Sequence, residues 1–328
     1  MTEPMASAPP PALSEGQAVA VAEGVPVPRG PFVLAVRRLA RDRAVVVGLT
    51  FVAALALVAA AAPLVAPFAP SQPHYADALR GPGHRFLLGT DNIGRDQLSR
   101  LLYGARISLG SVTLATAAVM LIGVAVGAIS GYLGGIVDDL IQRVVDVLLA
   151  FPSLVLALAI AGVLGPSLKS VLIAVIGVHW VGYARLVRGM VLATREQPYV
   201  EAARAAGASA PWLVFREILP NVFPPVLVLA TLEMGGLLLT ISSLSFLGLG
   251  AQPPTPEWGT MLNDARPFFQ ANPHLMIEPG AAIALTVLSF NLIGDGLRDA
   301  LDPRASRLVV HARRRRWRLA ASAGRADR

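Results

Sequence analysis

The chain has 328 residues, 54% of them hydrophobic and 15% charged; a soluble domain carries about 25% charged residues, so a single soluble core is excluded and a bilayer is the natural sink for the apolar surface. The formal charge is +7, almost all of it arginine at the two ends and between apolar runs, a placement that fits the positive-inside rule and not a nucleic-acid face. Cysteine is absent, which excludes disulfides and thiolate metal sites, and His74, His84, His179, His274 and His311 lie too far apart for a metal-ligand pattern.

Residues 1–28 are rich in Pro and Ala with scattered acids, Glu3, Glu15 and Glu23. They lack a basic stretch followed by an apolar one, so they are not a signal peptide and read as a disordered tail. A basic segment at 29–43 follows, with Arg29, Arg37, Arg38, Arg41 and Arg43. The first apolar run, 44–66, is long enough to span, and Pro63, Pro67 and Pro70 break it. Residues 67–105 form a polar segment with a short helix expected over 96–104.

The second run, 107–137, exceeds one span, so its last part is expected to turn along the surface. Its Gly123, Gly127, Gly131 and Gly135 recur at steps of four and let another backbone approach, from within the subunit or from a neighbouring one. Asp138, Asp139, Arg143 and Asp146 then interrupt the pattern. A third run covers 147–168 with Pro152 near its start, and Lys169 marks a tight turn. The fourth run, 170–184, is short, but Arg185 and Arg188 can snorkel and lengthen it. Residues 193–221 are polar and helical in pattern. The fifth run, 222–250, holds one acid, Glu233. A Pro-rich loop is expected at 251–278, a sixth run over 279–297 with Asp295 near its end, and a basic tail at 306–328 carrying Arg313, Arg314, Arg315, Arg316 and Arg318.

Six crossings put both termini on one side, and the arginine-rich ends make that side the cytoplasm. The first outside segment fits this rule poorly, since it carries Arg80, Arg85, Arg95, Arg100 and Arg106.

Residues 201–220 stand out. Glu201 to Ala206 is a strong helix former, and Gly207 suits the left-handed residue that ends a helix. Ser209 can cap a second helix with Pro211 in its first turn, and Pro220 is expected to end it. The result is a helix-turn-helix with a small-residue face at Ala202, Ala203 and Ala206. A DNA-reading helix-turn-helix is rejected, because apolar runs close on both sides hold the segment at the bilayer.

This segment resembles the EAA loop of binding-protein-dependent ABC importer permeases. Glu201, Ala202, Ala203 and Gly207 match that motif, and Ile218, Leu219 and Pro220 match its end. Residues 88–109 and 245–264 resemble the second, C-type permease of the dipeptide/oligopeptide/nickel systems, and the similarity covers roughly residues 30–305. The resemblance implies an all-α, type I (MetI-like) importer transmembrane domain over 44–305 with its coupling loop at 193–221, in a bacterial or archaeal inner membrane. It implies a homologous second permease, two ATPase subunits that bind the ATP and magnesium, an extracytoplasmic solute-binding protein, and a peptide-like cargo (nickel and glutathione systems use similar permeases). Similar permeases often carry an acid where this chain has Ile241, so Glu233, two turns earlier, is the candidate for the substrate path. His179 is a candidate proton relay, and Asp295 and Asp299 are candidates for pairing with arginine or the ATPase surface.

No Gly-x-x-x-x-Gly-Lys-Ser/Thr stretch is present: the one lysine, Lys169, follows Leu168. The energy must therefore come from a partner, or from ions if the chain is a secondary transporter acting alone. A membrane enzyme would need a cluster of nucleophile, base or metal ligands, and none is evident.

Overall fold

A computed structural model of the protein describes residues 39–40 and 42–301. The tails expected at 1–28 and 306–328, and Arg29, Arg37, Arg38 and Arg41, lie outside the described residues. The described chain is helical: α1 Arg43–Val65, α2 Gln97–Leu133, α3 Gly135–Leu149, α4 Ser153–Leu164, α5 Leu168–Arg195, α6 Pro198–Ala205, α7 Ala210–Phe246, α8 Trp258–Ala265 and α9 His274–Leu301. Among these, α1, α2, α5, α7 and α9 are each long and apolar enough to cross a bilayer.

The expected third span is not one helix. α4 has 12 residues, about 18 Å of rise against a hydrocarbon core about 30 Å thick. It meets α3 at an 89° bend, where Pro152 pushes Phe151 out of helical geometry. The pair nonetheless makes one crossing. Gly123 lies against Tyr183, Gly127 against Ala184 and Val187, and Gly131 against Arg188 and Val191. Contact numbers that rise together mean that α2 and α5 run parallel. The chain between parallel neighbours must return across the membrane, and α3 with α4 is what returns it.

The same contacts assign the glycine face to packing within the subunit. A Cβ on Gly127 would stand 2.5 Å from the Ala184 carbonyl oxygen, and one on Gly131 2.9 Å from that of Arg188. Gly135 has open space around it and a φ of 56°, so it belongs to the turn into α3 and not to the seam.

α9 runs antiparallel to α1 and α7. Gly48 approaches the Ser289 carbonyl and Gly296 approaches Val45, while Gly235 meets Val287 and Gly294 meets Leu232. Arg43, Leu301 and the C-terminal ends of α2 and α5 therefore share one end of the bundle, here called the elbow end. The opposite end is the cap.

The short helix expected over 96–104 is the start of α2. Asp96 caps it, accepting from the Ser99 N–H at 2.7 Å, and no proline interrupts 97–133, so the helix runs unbroken for 37 residues. The cap also departs from the loop expected at 251–278, because α8 lies within it. Glu257, fully buried, accepts from the N–H groups of Gly259 at 3.0 Å and Thr260 at 2.9 Å and from Ser108 Oγ at 3.2 Å. Trp258 Nε1 donates to the Leu101 carbonyl at 3.1 Å, and Gly104 leaves room for its ring. The two stretches singled out in the sequence, 88–109 and 245–264, thus form one joint.

Four of the five arginines of the first outside segment, all but Arg106, are held in ion pairs. Arg80 and Arg85 pair with Asp77 at 2.6 and 2.9 Å. Arg95 pairs with Asp91 at 2.5 Å and Arg100 with Asp264 at 3.1 Å. Burial pushes the Asp264 carboxyl above the usual range, against the pull of Arg100 and Arg95.

Candidate coupling elbow

The elbow grows out of α5, which runs past the expected end at 184 to Arg195. Its arginines do more than reach the interface. Arg188 binds Asp138 through Nε and Nη2, at 2.6 and 2.5 Å, and Arg185 binds Asp146 at 2.7 Å, tying α3 to α5. Arg195 Nη1 donates to the carbonyls of Gly131 at 3.0 Å and Tyr132 at 3.4 Å, capping the last turn of α2.

α6 starts with Pro198, where the missing N–H costs nothing. It ends at Gly207, whose φ of 89° is the left-handed conformation expected of it. The Ala208 N–H then reaches back to the Ala203 carbonyl at 3.1 Å. Pro211 lies in the first turn of α7 as expected. The Ser209 side chain does not cap: it makes no hydrogen bond to the helix start, and the Leu213 N–H bonds to the Ser209 backbone carbonyl at 3.0 Å.

Pro220 does not end the second helix. α7 continues for 37 residues through Pro220, Pro224 and Pro225. Just ahead of Pro220 the helix widens into a π turn over Leu213–Ile218, in which the Leu219 N–H bonds five residues back to the Val214 carbonyl. Loosening the ladder there makes room for the ring that would clash with a carbonyl in a regular helix. Asn221 Nδ2 binds the Glu217 carbonyl at 2.6 Å and Tyr199 Oη at 3.2 Å, bridging α6 to α7.

The residues of the motif divide by burial. Glu201, Ala202, Gly207 and Pro220 are exposed, and Ala203 and Leu219 are half-buried. Ile218 is fully buried and packs with Val187, Val191 and Val222, so it roots the elbow in the bundle. Val200 and Leu213, which the sequence pattern did not single out, are buried roots as well. Arg195, Tyr199 and Asn221 were also missed. The available signal was an arginine in a last helical turn and an asparagine at the edge of an apolar run.

Glu233 is far along α7 from the elbow and half-buried. It continues the buried face of Val222, Val226 and Ala230, within electrostatic reach of Tyr183 on α5. Ile241 is fully buried in the main apolar core. His179 is half-buried with no hydrogen-bond partner at Nε2, and Trp180 Nε1 donates to the Gly177 carbonyl at 3.0 Å. Asp295 and Asp299 are exposed on the last turns of α9.

Residues 123–307 match the family model described as binding-protein-dependent transport system inner membrane component. Residues 30–82 match the N-terminal transmembrane domain of oligopeptide transport permease C. The chain is 43% identical over 274 residues to the dipeptide transport system permease protein DppC of Alkalihalophilus pseudofirmus, covering 84% of this chain and 90% of that one. It is 45% identical over 269 residues to the glutathione transport system permease protein GsiD of Escherichia coli, covering 82% and 89%. A solved inward-facing structure of the MetNI methionine ABC transporter aligns with a TM-score of 0.48 at 19% identity, over 62% of this chain and 97% of that one.

Proposed function

This chain belongs to the family of binding-protein-dependent transport system inner membrane components, and from that premise we propose that residues 201–220 are the point where partner ATPases drive it. It is the membrane-spanning permease subunit of an ATP-binding-cassette importer, not an enzyme. The finer reading is that its cargo is a di- or oligopeptide or a similar small solute such as glutathione, as the names of its relatives suggest. An extracytoplasmic binding protein delivers that cargo, and a homologous second permease completes the path. Two ATPase subunits bind ATP and magnesium, since this chain has no P-loop.

One observation carries the coupling role. The elbow presents Glu201, Ala202 and Gly207 outward while Ile218 and Val200 are buried roots. A push on an exposed face with buried roots moves α7 and the seam of α2 and α5 as packed units, which suits a two-state rearrangement. The elbow shares its end of the bundle with both ends of the described chain, and the arginine-rich tails support a cytoplasmic location for that end. Glu233 we assign to the substrate path, as the half-buried carboxylate of α7.

The test uses the absence of native cysteine. In Ala202→Cys, an impermeant maleimide should label only once the cytoplasmic face is opened, and co-expressed ATPases should protect the site. Labelling from outside intact cells, or ATP-coupled uptake by an Ala202→Trp variant at the normal rate, would overturn the reading.

A further inference from the structure

We propose that the elbow end of the bundle holds one zwitterionic glycerophospholipid, with an acyl chain between α2 and the start of α7 and its headgroup at Tyr132. The groove measures about 530 Å³. Its wall on α2 runs from Leu121 to Leu133, and on α7 it includes Val214 and Phe215, all apolar. Twelve helical residues rise about 18 Å, close to the roughly 15 Å of a single leaflet. The depth therefore matches one acyl chain lying along the bilayer normal.

The mouth of the groove selects the headgroup. Tyr132 lines the groove and also a second, polar hollow of about 370 Å³ formed with Arg195, Glu196, Glu201 and Arg204. Tyrosine at such a position marks the level of the headgroups. Two guanidinium groups and two carboxylates sum to zero charge. Among the described residues, Glu201 and Arg204 have no ion-pair partner, and Arg195 reaches Glu196 only at 4.0 Å. A headgroup carrying one phosphate and one ammonium satisfies both signs, whereas a purely anionic headgroup meets the carboxylates unpaired. A lipid seated there bridges α2 to the elbow. The inference needs only the embedding of the chain in a bilayer; it shares Glu201 with the face assigned to the ATPases, and a test on the purified chain without them keeps the two readings apart.

Native mass spectrometry of the purified full chain tests it. Phosphatidylethanolamine should be retained at one molecule per chain, at least fivefold over phosphatidylglycerol of the same chain length. Ala125→Trp, which fills the groove from an exposed position of α2, should lower retention at least fivefold. Leu114→Trp, on an exposed part of α2 outside the groove, should not. Should the tryptophan variant fail to fold, Ala125→Cys carrying a photoreactive label decides in native membranes. Adducts to phospholipid support the proposal. Adducts to a protein chain, equal retention by Ala125→Trp, or indifference to the headgroup overturn it.

Discussion

Arg188 of α5 grips Asp138 of α3 with two parallel hydrogen bonds, Nε to Oδ1 at 2.6 Å and Nη2 to Oδ2 at 2.5 Å. Ser130 of α2 donates to the same carboxylate at 2.5 Å, so three helices meet on one side chain. This knot holds the amphipathic half of the broken crossing against the parallel pair α2 and α5. Asp138→Ala should destabilise the purified protein by about 2–3 kcal/mol, because it strands a partly buried guanidinium. Arg188→Lys should recover little of that, since an ammonium cannot make the two-point contact. Thermal melting in detergent reads both, and an unchanged melting temperature for Asp138→Ala would remove the knot from the account.

Gly127 and Gly177 separate close packing from mere helix propensity. A methyl at Gly127 runs into the Ala184 backbone, whereas one at Gly177 meets nothing within 4 Å. Gly127→Ala should therefore cost about 1–3 kcal/mol through forced separation of α2 and α5. Gly177→Ala should be neutral or stabilising by up to about 1 kcal/mol. Folded yield and melting temperature of the two variants provide the comparison.

Glu257 is a buried carboxylate that accepts from Gly259 N–H, Thr260 N–H and Ser108 Oγ, while the single Thr260 Oγ proton has the nearer Ala251 carbonyl, at 3.0 Å, as its acceptor. Replacement by alanine leaves the Gly259 and Thr260 N–H groups and the Ser108 hydroxyl without this acceptor and should cost about 2–3 kcal/mol. The loss should open the cap first. Limited proteolysis within 251–273 is the readout, and a variant as resistant as the parent protein would contradict the assignment.

Gly207 adopts φ 89° with open space around it. Gly207→Val therefore meets no steric neighbour, and its cost, on the order of 1–2 kcal/mol, is purely that of the left-handed backbone. The expected outcome is a strong fall in ATP-coupled uptake with a small change in melting temperature. Gly207→Asn should retain most uptake, because asparagine tolerates that conformation better.

Glu233→Gln keeps the shape of the side chain and removes its charge. Under the path assignment the carboxylate meets the positively charged amino group of a peptide cargo, so uptake of peptides with a free amino terminus should fall several-fold while ATPase co-purification is unchanged. Equal uptake of amino-blocked and free peptides by the parent protein would sink that assignment.

The elbow shows how far local signals reach. Gly207 announced its left-handed turn and Pro211 its place in a first turn, since both properties belong to the residue and its immediate backbone. Pro220 misled, because whether a proline ends a helix depends on whether the preceding turn can widen, as Leu213–Ile218 does. Ser209 misled for a related reason: a residue able to cap need not do so where a backbone carbonyl already serves.

The amino-acid sequence by itself pointed to the bilayer as solvent, to the apolar runs that could cross it and to the helix break at Gly207. Apolar run length, proline position and short-range helix signals are set within a few turns of chain. Only the tertiary structure decided that α2 and α5 run parallel, that the glycine face packs inside the subunit, and that one crossing is split at Pro152. It alone joined Arg100 to Asp264 and Ser108 to Glu257, pairs separated by 164 and 149 residues. Such partners depend on the path of the whole chain through space, and no local rule of backbone or hydropathy records where a distant residue comes to rest.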